Sequence, residues 1–417
     1  MELTPKARAK ITQLLQKGVD IPNPLTLDIG DDVNIDQISA KGVIIYPGCR
    51  IYGKKTVISA GSKLGYEAPA TVENCQLGSG VELKGGFFSQ AVFLEKAYMG
   101  MGAHVREGSI LEEQAGGAHC VGLKQTILFP FVTLGSLINF CDCLMAGGTS
   151  RQNHSEVGSS YIHFNFTPDA DKTTPSLIGD VPRGVMLNQP PIFLGGQGGI
   201  IGPLRLGFGN VVAAGCVLRD DHPKSNRLIY ETAPGGGVKN FAPAAYPNFG
   251  RIVENNILYL ANLAALQAWY REVRKPFLET LEFGALLYAG VMDRLSVAVK
   301  ERLKRLEAMA EKAVAPAAAK GTPASVRSKR EFHRHINSIA AAFHERKSSD
   351  KTARSREKFL KDFHRAVGND RGNYIETIQG LPAEVSSKGV RWLGSLVDDI
   401  CGRAAKALPS MKFFKNQ

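Results

Sequence analysis

The 417-residue chain has no run of about 18 consecutive apolar residues, which leaves out a membrane-spanning helix. Met1 to Lys17 has charges scattered through it instead of a basic cap followed by an apolar stretch, so it does not read as a secretory leader. The chain has only seven cysteines, an odd number, and none lie in a CxxC pair. That pattern speaks against a disulfide framework and a zinc knuckle, and Cys141 and Cys143 read as small packing residues. Residues 1–249 have no charge excess, with 21 basic against 21 acidic side chains. The formal charge of +12 therefore comes from residues 250–417, where 30 basic side chains face 18 acidic ones. The expectation is a soluble, cytoplasmic chain whose anionic partners, if any, meet its C-terminal part.

The clearest positive signal is a period of six. In IIGPLRLGFGNVVAAGCVLRDD, from Ile200 to Asp221, the aliphatic residues Ile200, Leu206, Val212 and Leu218 recur every sixth position. A helix would place them three and four apart and a half-buried strand every second position. Six is the period of a β-helix in which each unit gives one short strand and one turn, and three units close one triangular coil. Pro203, Gly209 and Gly215 fall between the aliphatic positions, where the chain turns a corner. Looser copies are IGDDVNI (Ile29–Ile35), QLGSGVEL (Gln76–Leu83), YMGMGAHV (Tyr98–Val105) and TLGSLINF (Thr133–Phe140). Residues 24–222 have room for about eight to ten coils, a prism on the order of 40–50 Å long at about 4.8 Å per coil.

The fold expected is thus an all-β left-handed parallel β-helix of hexapeptide repeats with an α-helical C-terminal extension. Residues 1–22 hold an N-terminal helix, with Thr4 as its N-cap, Pro5 at the first position and Gly18 at its end. The β-helix occupies 23–222 and carries a protruding loop near 163–176. Residues 223–251 form an irregular connector, with GGG between Pro234 and Pro247. From Val253 the period becomes helical, through Ile257, Leu260, Trp269 and, beyond a break near Pro276, Leu287, Val291, Leu295 and Leu303. This gives a helical segment over 252–312. VAPAAAKGTPAS (Val314–Ser325) lies in a linker at 313–327, and 328–417 form basic helices. In those helices Phe332, Phe343, Phe359 and Phe363 recur at helical spacing. One face is expected to pack, with nucleic acid or an anionic surface as a secondary partner that would bind weakly and be lost at high salt.

A β-helix is a rack for side chains and implies no activity by itself. The place to look for chemistry is where the repeat is interrupted, NHSEVGSSYIHFNFTPDADKTTPSLIGD, Asn153 to Asp180. It reads as a polar loop with His154, His163, Asn165 and Lys172. Asn153-His154, the HFNF run, Lys172-Thr173, SLIGD and the rungs IGPLRLGFGNVVAAG together resemble the acetyltransferase half of the bifunctional enzymes that acetylate glucosamine-1-phosphate and then uridylate it to UDP-N-acetylglucosamine. The resemblance is good over 153–221, weaker over 24–152 and absent beyond 250.

What the resemblance implies is an acetyl-CoA-dependent acyltransferase acting on an amino sugar or sugar nucleotide. His154 would be the general base, Asn153, Asn165 and Lys172 would bind substrate, and Phe166 with Ala213 and Ala214 would meet acetyl-CoA. The residue types suit the chemistry. An imidazole, with an ordinary pKa near 6.5, can take a proton from an attacking amine, a lysine can pair with phosphate, and a turn amide or Asn165 can hold an oxyanion. A homotrimer is expected, because the family places its donor between neighbouring prisms. Two departures stand out: Phe166 replaces the family's Tyr, and Leu144-Met145 stand where the family has a basic pair. No Gly-rich uridylyltransferase domain precedes the repeats, so pyrophosphorylase activity is not expected. No metal is expected either: His154 and His163 are nine apart, with the other repeat histidines at 104 and 119. PPIFLGGQGGIIGP (Pro190–Pro203) reads as tight corners, or alternatively as bare amides for a pantetheine or phosphate. The alternative function is a non-catalytic scaffold that binds a sugar nucleotide or a partner protein.

Overall fold

The computed structural model describes residues 4–162, 171–231, 237–238, 246, 248–315, 322–344, 349–368 and 372–414. Helix α1 (Pro5–Lys17) starts at Thr4, whose side chain accepts from the Ala7 N–H, and stops at Gly18 in the left-handed region. From there the chain winds into a parallel β-solenoid of about 11 turns, of the left-handed hexapeptide type. Its strands are two to four residues long and form three faces. Face one has ten strands, from Asp28–Ile29 to Val217–Leu218. Face two has eight, from Val57–Ile58 to Arg205–Leu206. Face three has ten, from Ile44–Ile45 to Leu228–Ile229.

Successive rungs stack in register, so one inward position per strand becomes an aliphatic ladder. On face one the run Phe140, Ile162, Ile200, Leu218 is continuous. On face two Leu111, Leu128, Met145, Ile178, Leu206 follow one another, and on face three Val157, Leu194, Val212, Ile229. Ile200, Leu206 and Val212 therefore lie on three faces of one coil, as the six-residue period requires. The corners at Gly209 and Gly215 have φ of +72° and +77°, which glycine adopts without strain. Two expectations need correction. The solenoid runs past residue 222 to Leu228–Ile229, giving more turns than the eight to ten expected, because the polar turn His222–Asn226 hides the last repeat. The stretch 153–180 is not one loop: Glu156–Val157, Ser160–Ile162 and Ser176–Ile178 within it are ordinary rungs.

The C-terminal part folds back onto face two. A four-residue helix, α2 (Val181–Gly184), belongs to the prism. The helical region proper consists of α3 (Phe249–Trp269), a π-helical turn (Tyr270–Arg274), α4 (Lys275–Leu278), α5 (Gly284–Ala313), α6 (Pro323–His344), α7 (Asp350–Val367), α8 (Tyr374–Gln379) and α9 (Ala383–Ala407). The connector thus ends in helix at Phe249, and of the linker expected over 313–327 Ala313 still belongs to α5 and residues 323–327 open α6, because Pro fits a helix's first turn. Helix α5 lies along face two, with Lys55 Nζ 3.0 Å from Asp293 and the Arg294 guanidinium donating to the Gln90 carbonyl at 2.8 Å. Higher up, the buried Arg302 donates to Asp142 (2.8 Å) and to the Lys172 carbonyl (3.1 Å).

Face two differs from the others because six of its eight outward side chains, Val57, Val92, Ile110, Ile127, Leu144 and Leu177, are apolar and also buried, the other two being buried Gln76 and half-buried Arg205. A strand covered on both sides reads as a continuous apolar pair, as in Val92-Phe93, Ile110-Leu111 and Leu144-Met145. Each large aliphatic side chain so covered is worth about 1.5–3 kcal/mol. Leu144 accordingly lies under the helices and Met145 in the prism core, which is why neither position carries a basic side chain here. The expected aromatic spacing in the basic helices also packs inward, with Phe332, Phe359 and Phe363 buried and Phe359 stacked on Trp392 and Trp269.

At the edge of face two the π turn makes a buried polar junction. The Tyr270 hydroxyl donates to Glu112 at 2.5 Å, and Arg274 donates to Glu113 at 2.6 Å while its guanidinium stacks 3.7 Å over the Tyr374 ring. Burial pushes the Glu112 carboxyl up to about 7, with the Glu113 charge adding to it and Arg274 opposing it. A glutamate in the unfolded chain ionises near 4.5. Between those values the folded protein keeps a proton that the unfolded chain has released, so stability falls as pH rises through this window and levels off above it. Glu112→Gln should remove that component. Urea midpoints measured at about pH 5 and about pH 8 should fall in the wild type and stay closer together in the variant; equal pH slopes for the two proteins would contradict this.

Candidate functional site

The chain passes from face one to two to three, so each residue between strands belongs to one of three edges. The edge between faces two and three carries His154. There the rung after Cys143–Met145 is interrupted by a small antiparallel hairpin, Gly148–Ser150 with Asn153–His154, before the chain rejoins face three at Glu156. Gly147 and Gly148, both at positive φ, let the chain leave the prism: a Cβ on Gly148 would sit 2.6 Å from the His154 Cα. Buried Ser155 closes the hairpin's base, its hydroxyl donating to the Ala146 carbonyl and accepting from the Ile192 N–H.

His154 is partly buried on this hairpin. Its Nδ1 lies 2.7 Å from the Arg151 carbonyl oxygen, which can only accept, so Nδ1 carries the hydrogen and Nε2 is left with its lone pair. Glu156 Oε2 is 4.0 Å from Nε2. Arg151 points down the same edge. It donates to the carbonyls of Gln114 (3.1 Å) and Phe131 (3.2 Å) and to the Thr133 hydroxyl (2.8 Å), and its second amino group donates to the Tyr98 hydroxyl (3.1 Å). From the other side Gln379, at the end of α8, donates to the Thr149 carbonyl at 2.6 Å and the Leu187 carbonyl at 3.1 Å. Asn153 is exposed and its amide is engaged inside the hairpin, donating to Thr149 Oγ1 at 2.8 Å.

The other candidates lie elsewhere. Lys172 is on the edge between faces one and two, its side chain exposed and its carbonyl held by Arg302. Around it the chain returning to the prism is buried, with Asp171 accepting from Thr173 and from the Tyr246 hydroxyl, so the loop expected to protrude near 163–176 is tucked against the helices from 171 onward. Ala213 and Ala214 lie on the edge between faces three and one. There Gly195 is required by close stacking, since a Cβ on it would meet the Ala214 amide at 2.5 Å; PPIFLGGQGGIIGP holds the strands Phe193–Leu194 and Gly198–Ile200 with a corner between them. His163, Asn165 and Phe166 lie outside the described residues. One chain therefore places His154, Lys172 and Ala213-Ala214 on three different edges. Sequence reasoning missed Arg151, Glu156 and Gln379; Arg151 and Glu156, charged residues two positions either side of Asn153-His154, carried a local signal, and Gln379 carried none. Among the described residues no group of three or more His, Cys, Asp or Glu side chains comes together to hold a metal ion, and no helix is long and apolar enough to cross a membrane.

On face three the outward ladder runs Thr133, Glu156, Phe193, Val211, Leu228. Beyond Glu156 it is apolar and open to solvent, with Phe193, Val211 and Leu228 exposed by 41%, 42% and 65%.

A β-solenoid of hexapeptide rungs interrupted at an Asn-His hairpin fits the hexapeptide-repeat transferases. In sequence the chain is related to proteins named bifunctional protein GlmU. It is 26% identical over 214 residues to that of Thermotoga maritima, covering 51% of this chain and 42% of the relative. The GlmU of Trichlorobacter lovleyi is 26% identical over 221 residues, and that of Acinetobacter baylyi 28% over 227, each covering 53% of this chain and 43% of the relative. The chain thus spans about two fifths of the length of the curated relatives it matches. The relation is to the acetyltransferase domain of GlmU. No family model matches the chain.

The four bonds made by Arg151 predict that Arg151→Met loosens the hairpin. With net hydrogen-bond contributions of about 1 kcal/mol each and geometry shared among neighbours, a loss of about 1–3 kcal/mol is expected. Amide exchange across 148–154 should speed up while the rungs on either side stay protected. Unchanged exchange in the hairpin would show that Arg151 does not hold it.

Proposed function

We propose that this protein is an acyltransferase that uses acetyl-CoA to acetylate an amino sugar or sugar nucleotide, with His154 as the general base. The observation that carries the reading is the His154 tautomer: Nδ1–H is fixed on the Arg151 carbonyl and Nε2 is free to accept, on a hairpin that leaves the solenoid at the edge between faces two and three. In this reading Nε2 takes the proton that the acceptor amine loses as its nitrogen bonds to the thioester carbonyl. The imidazolium gives that proton to the departing sulfur when the C–S bond breaks. The relation to GlmU supports acetyl transfer and a sugar-nucleotide acceptor. Asn153, Asn165 and Lys172 are assigned to substrate and Phe166, Ala213 and Ala214 to the donor on the same resemblance.

Because those residues sit on separate edges, the site is completed by a neighbouring chain, and the assembly proposed is a homotrimer. The helices cover face two, so the neighbour approaches faces one and three, and the apolar ladder Phe193, Val211, Leu228 beside Glu156 suits burial against it. Light scattering should give about three chains per particle. An active monomer would overturn this arrangement.

His154→Ala should lower kcat by roughly 10²–10⁴ with little change in CoA affinity, and Tm should hold because the side chain lies outside the prism core. His154→Gln keeps the bulk and should be as inactive. Full activity in either variant, or no transfer by the wild type to a panel of amino sugars and sugar nucleotides, would contradict the proposal. The second result, combined with binding of a sugar nucleotide, would favour the scaffold reading.

A further inference from the structure

A cavity of about 340 Å³ lies between the prism and the helical region, one rung beyond the His154 hairpin. Its floor is the last coils of the solenoid at Leu177 and Leu206, and its roof is α3 at Leu258 and α9 at Val390 and Val397. The volume falls in the range of small-molecule pockets, and the junction of two packed layers is a common place for one. Walls that are largely apolar hold water poorly. The α9 residues that face the space, Val390, Gly394, Val397 and Asp398, recur at helical spacing, so one face of the helix is devoted to it.

Two features set this cavity apart from a packing fault. Gly394 sits in the middle of a 25-residue helix, where glycine is the least favourable residue after proline, and a Cβ there would meet nothing within 4 Å. No neighbour requires its small size; what it preserves is the open volume. Gly389, one turn earlier, is by contrast packed against Met186 and Phe359. The second feature is a pair of guanidinium groups at the same opening. Arg205 pairs with Asp221 through its NH2 group, 3.4 Å away, but its Nε is buried with no hydrogen-bond partner. Arg183 is held by Asp180 (2.7 Å) and by the Phe208 ring, 4.8 Å below it. Asp398, the remaining charge on the lining, is exposed and screened by solvent.

We propose that this cavity is a second ligand site, which binds a small amphipathic anion with its carboxylate or phosphate on Arg205 and Arg183 and its hydrocarbon body between Leu177, Leu258 and Val397. An oxygen anion can accept from the solvent-accessible parts of the Arg205 and Arg183 guanidinium groups, which are 21% and 40% exposed as side chains, and a guanidinium is the side chain best suited to either head group. Because the walls come from the solenoid and from α3 and α9 together, the ligand holds the helical region against the prism. The site is independent of the role of His154.

The probes are decanoate, octyl phosphate and neutral octanol, titrated into the full chain by calorimetry. One decanoate or octyl phosphate should bind per chain, with a Kd on the order of 100 μM for ligands of this size, and octanol at least tenfold more weakly. Whichever of the two anions binds more tightly identifies the head group. Gly394→Leu fills the space and should abolish binding while raising Tm; Arg205→Gln should weaken anion binding by about tenfold and leave octanol unchanged. No binding of either anion, octanol binding as tightly as decanoate, or undiminished binding in both variants would each overturn the proposal.

Discussion

Among the described residues no strand of the prism is longer than four residues, and a strand that short has no stability alone. Each is held by the rung before it and the rung after it, through the parallel ladder and through one inward aliphatic side chain stacked on its neighbours. The molecule therefore depends on register: a slip of one residue would turn every ladder residue outward. Registered stacking also fixes where departures are allowed. Residues within strands are committed to the ladder, so the hairpin with His154, the buried return at Asp171 and the insert around α2 all leave from edges.

The helical region exploits a second consequence of stacking. A face whose outward positions are also apolar is a surface in need of cover, and α3 and α5 lie along it. Two kinds of contact join them. The broad one is hydrophobic, over Val92, Ile110, Ile127 and Leu144. The other is a small number of buried polar pairs, Tyr270 with Glu112, Arg274 with Glu113 and Arg302 with Asp142, which set where the helices sit along the prism. Buried ion pairs of this kind are costly to desolvate, so their contribution is to position more than to stability. They also connect to the candidate site. Glu113 precedes Gln114, whose carbonyl is held by Arg151, whose own carbonyl orients His154. The helical region thus buttresses the hairpin from below through Arg274 and from the side through Gln379.

The solenoid was legible because its signal is local and repeated. Ile200, Leu206, Val212 and Leu218 declare the period within one coil, and Thr4, Pro5 and Gly18 declare the first helix in the same way. The last rung was not, because His222–Asn226 is polar and carries no aliphatic marker before Leu228. The apolar pairs of face two were visible as residues, but a strand covered by helices and a loosely kept repeat have the same spelling, so the cover was invisible until the chain was seen folded. The candidate base could be named from Asn153-His154 and its resemblance. Its partners could not: Arg151 reaches Tyr98 across 53 positions and Gln379 reaches Thr149 across 230, distances at which a single sequence has no periodicity to read. The separation of His154, Lys172 and Ala213-Ala214 onto three edges is likewise a property of the winding, not of the spacing along the chain.

The account turns on one claim, that the edge between faces two and three beside His154 is where acyl transfer takes place, completed by a neighbouring chain. A crystal structure of the protein with coenzyme A tests it most directly. The account predicts the pantetheine thiol at the His154 edge, with Nε2 facing the space an acceptor amine would occupy and the nucleotide end against Ala213-Ala214 of an adjacent copy. Coenzyme A seated away from that edge, or no bound coenzyme A at saturating concentration, would contradict it.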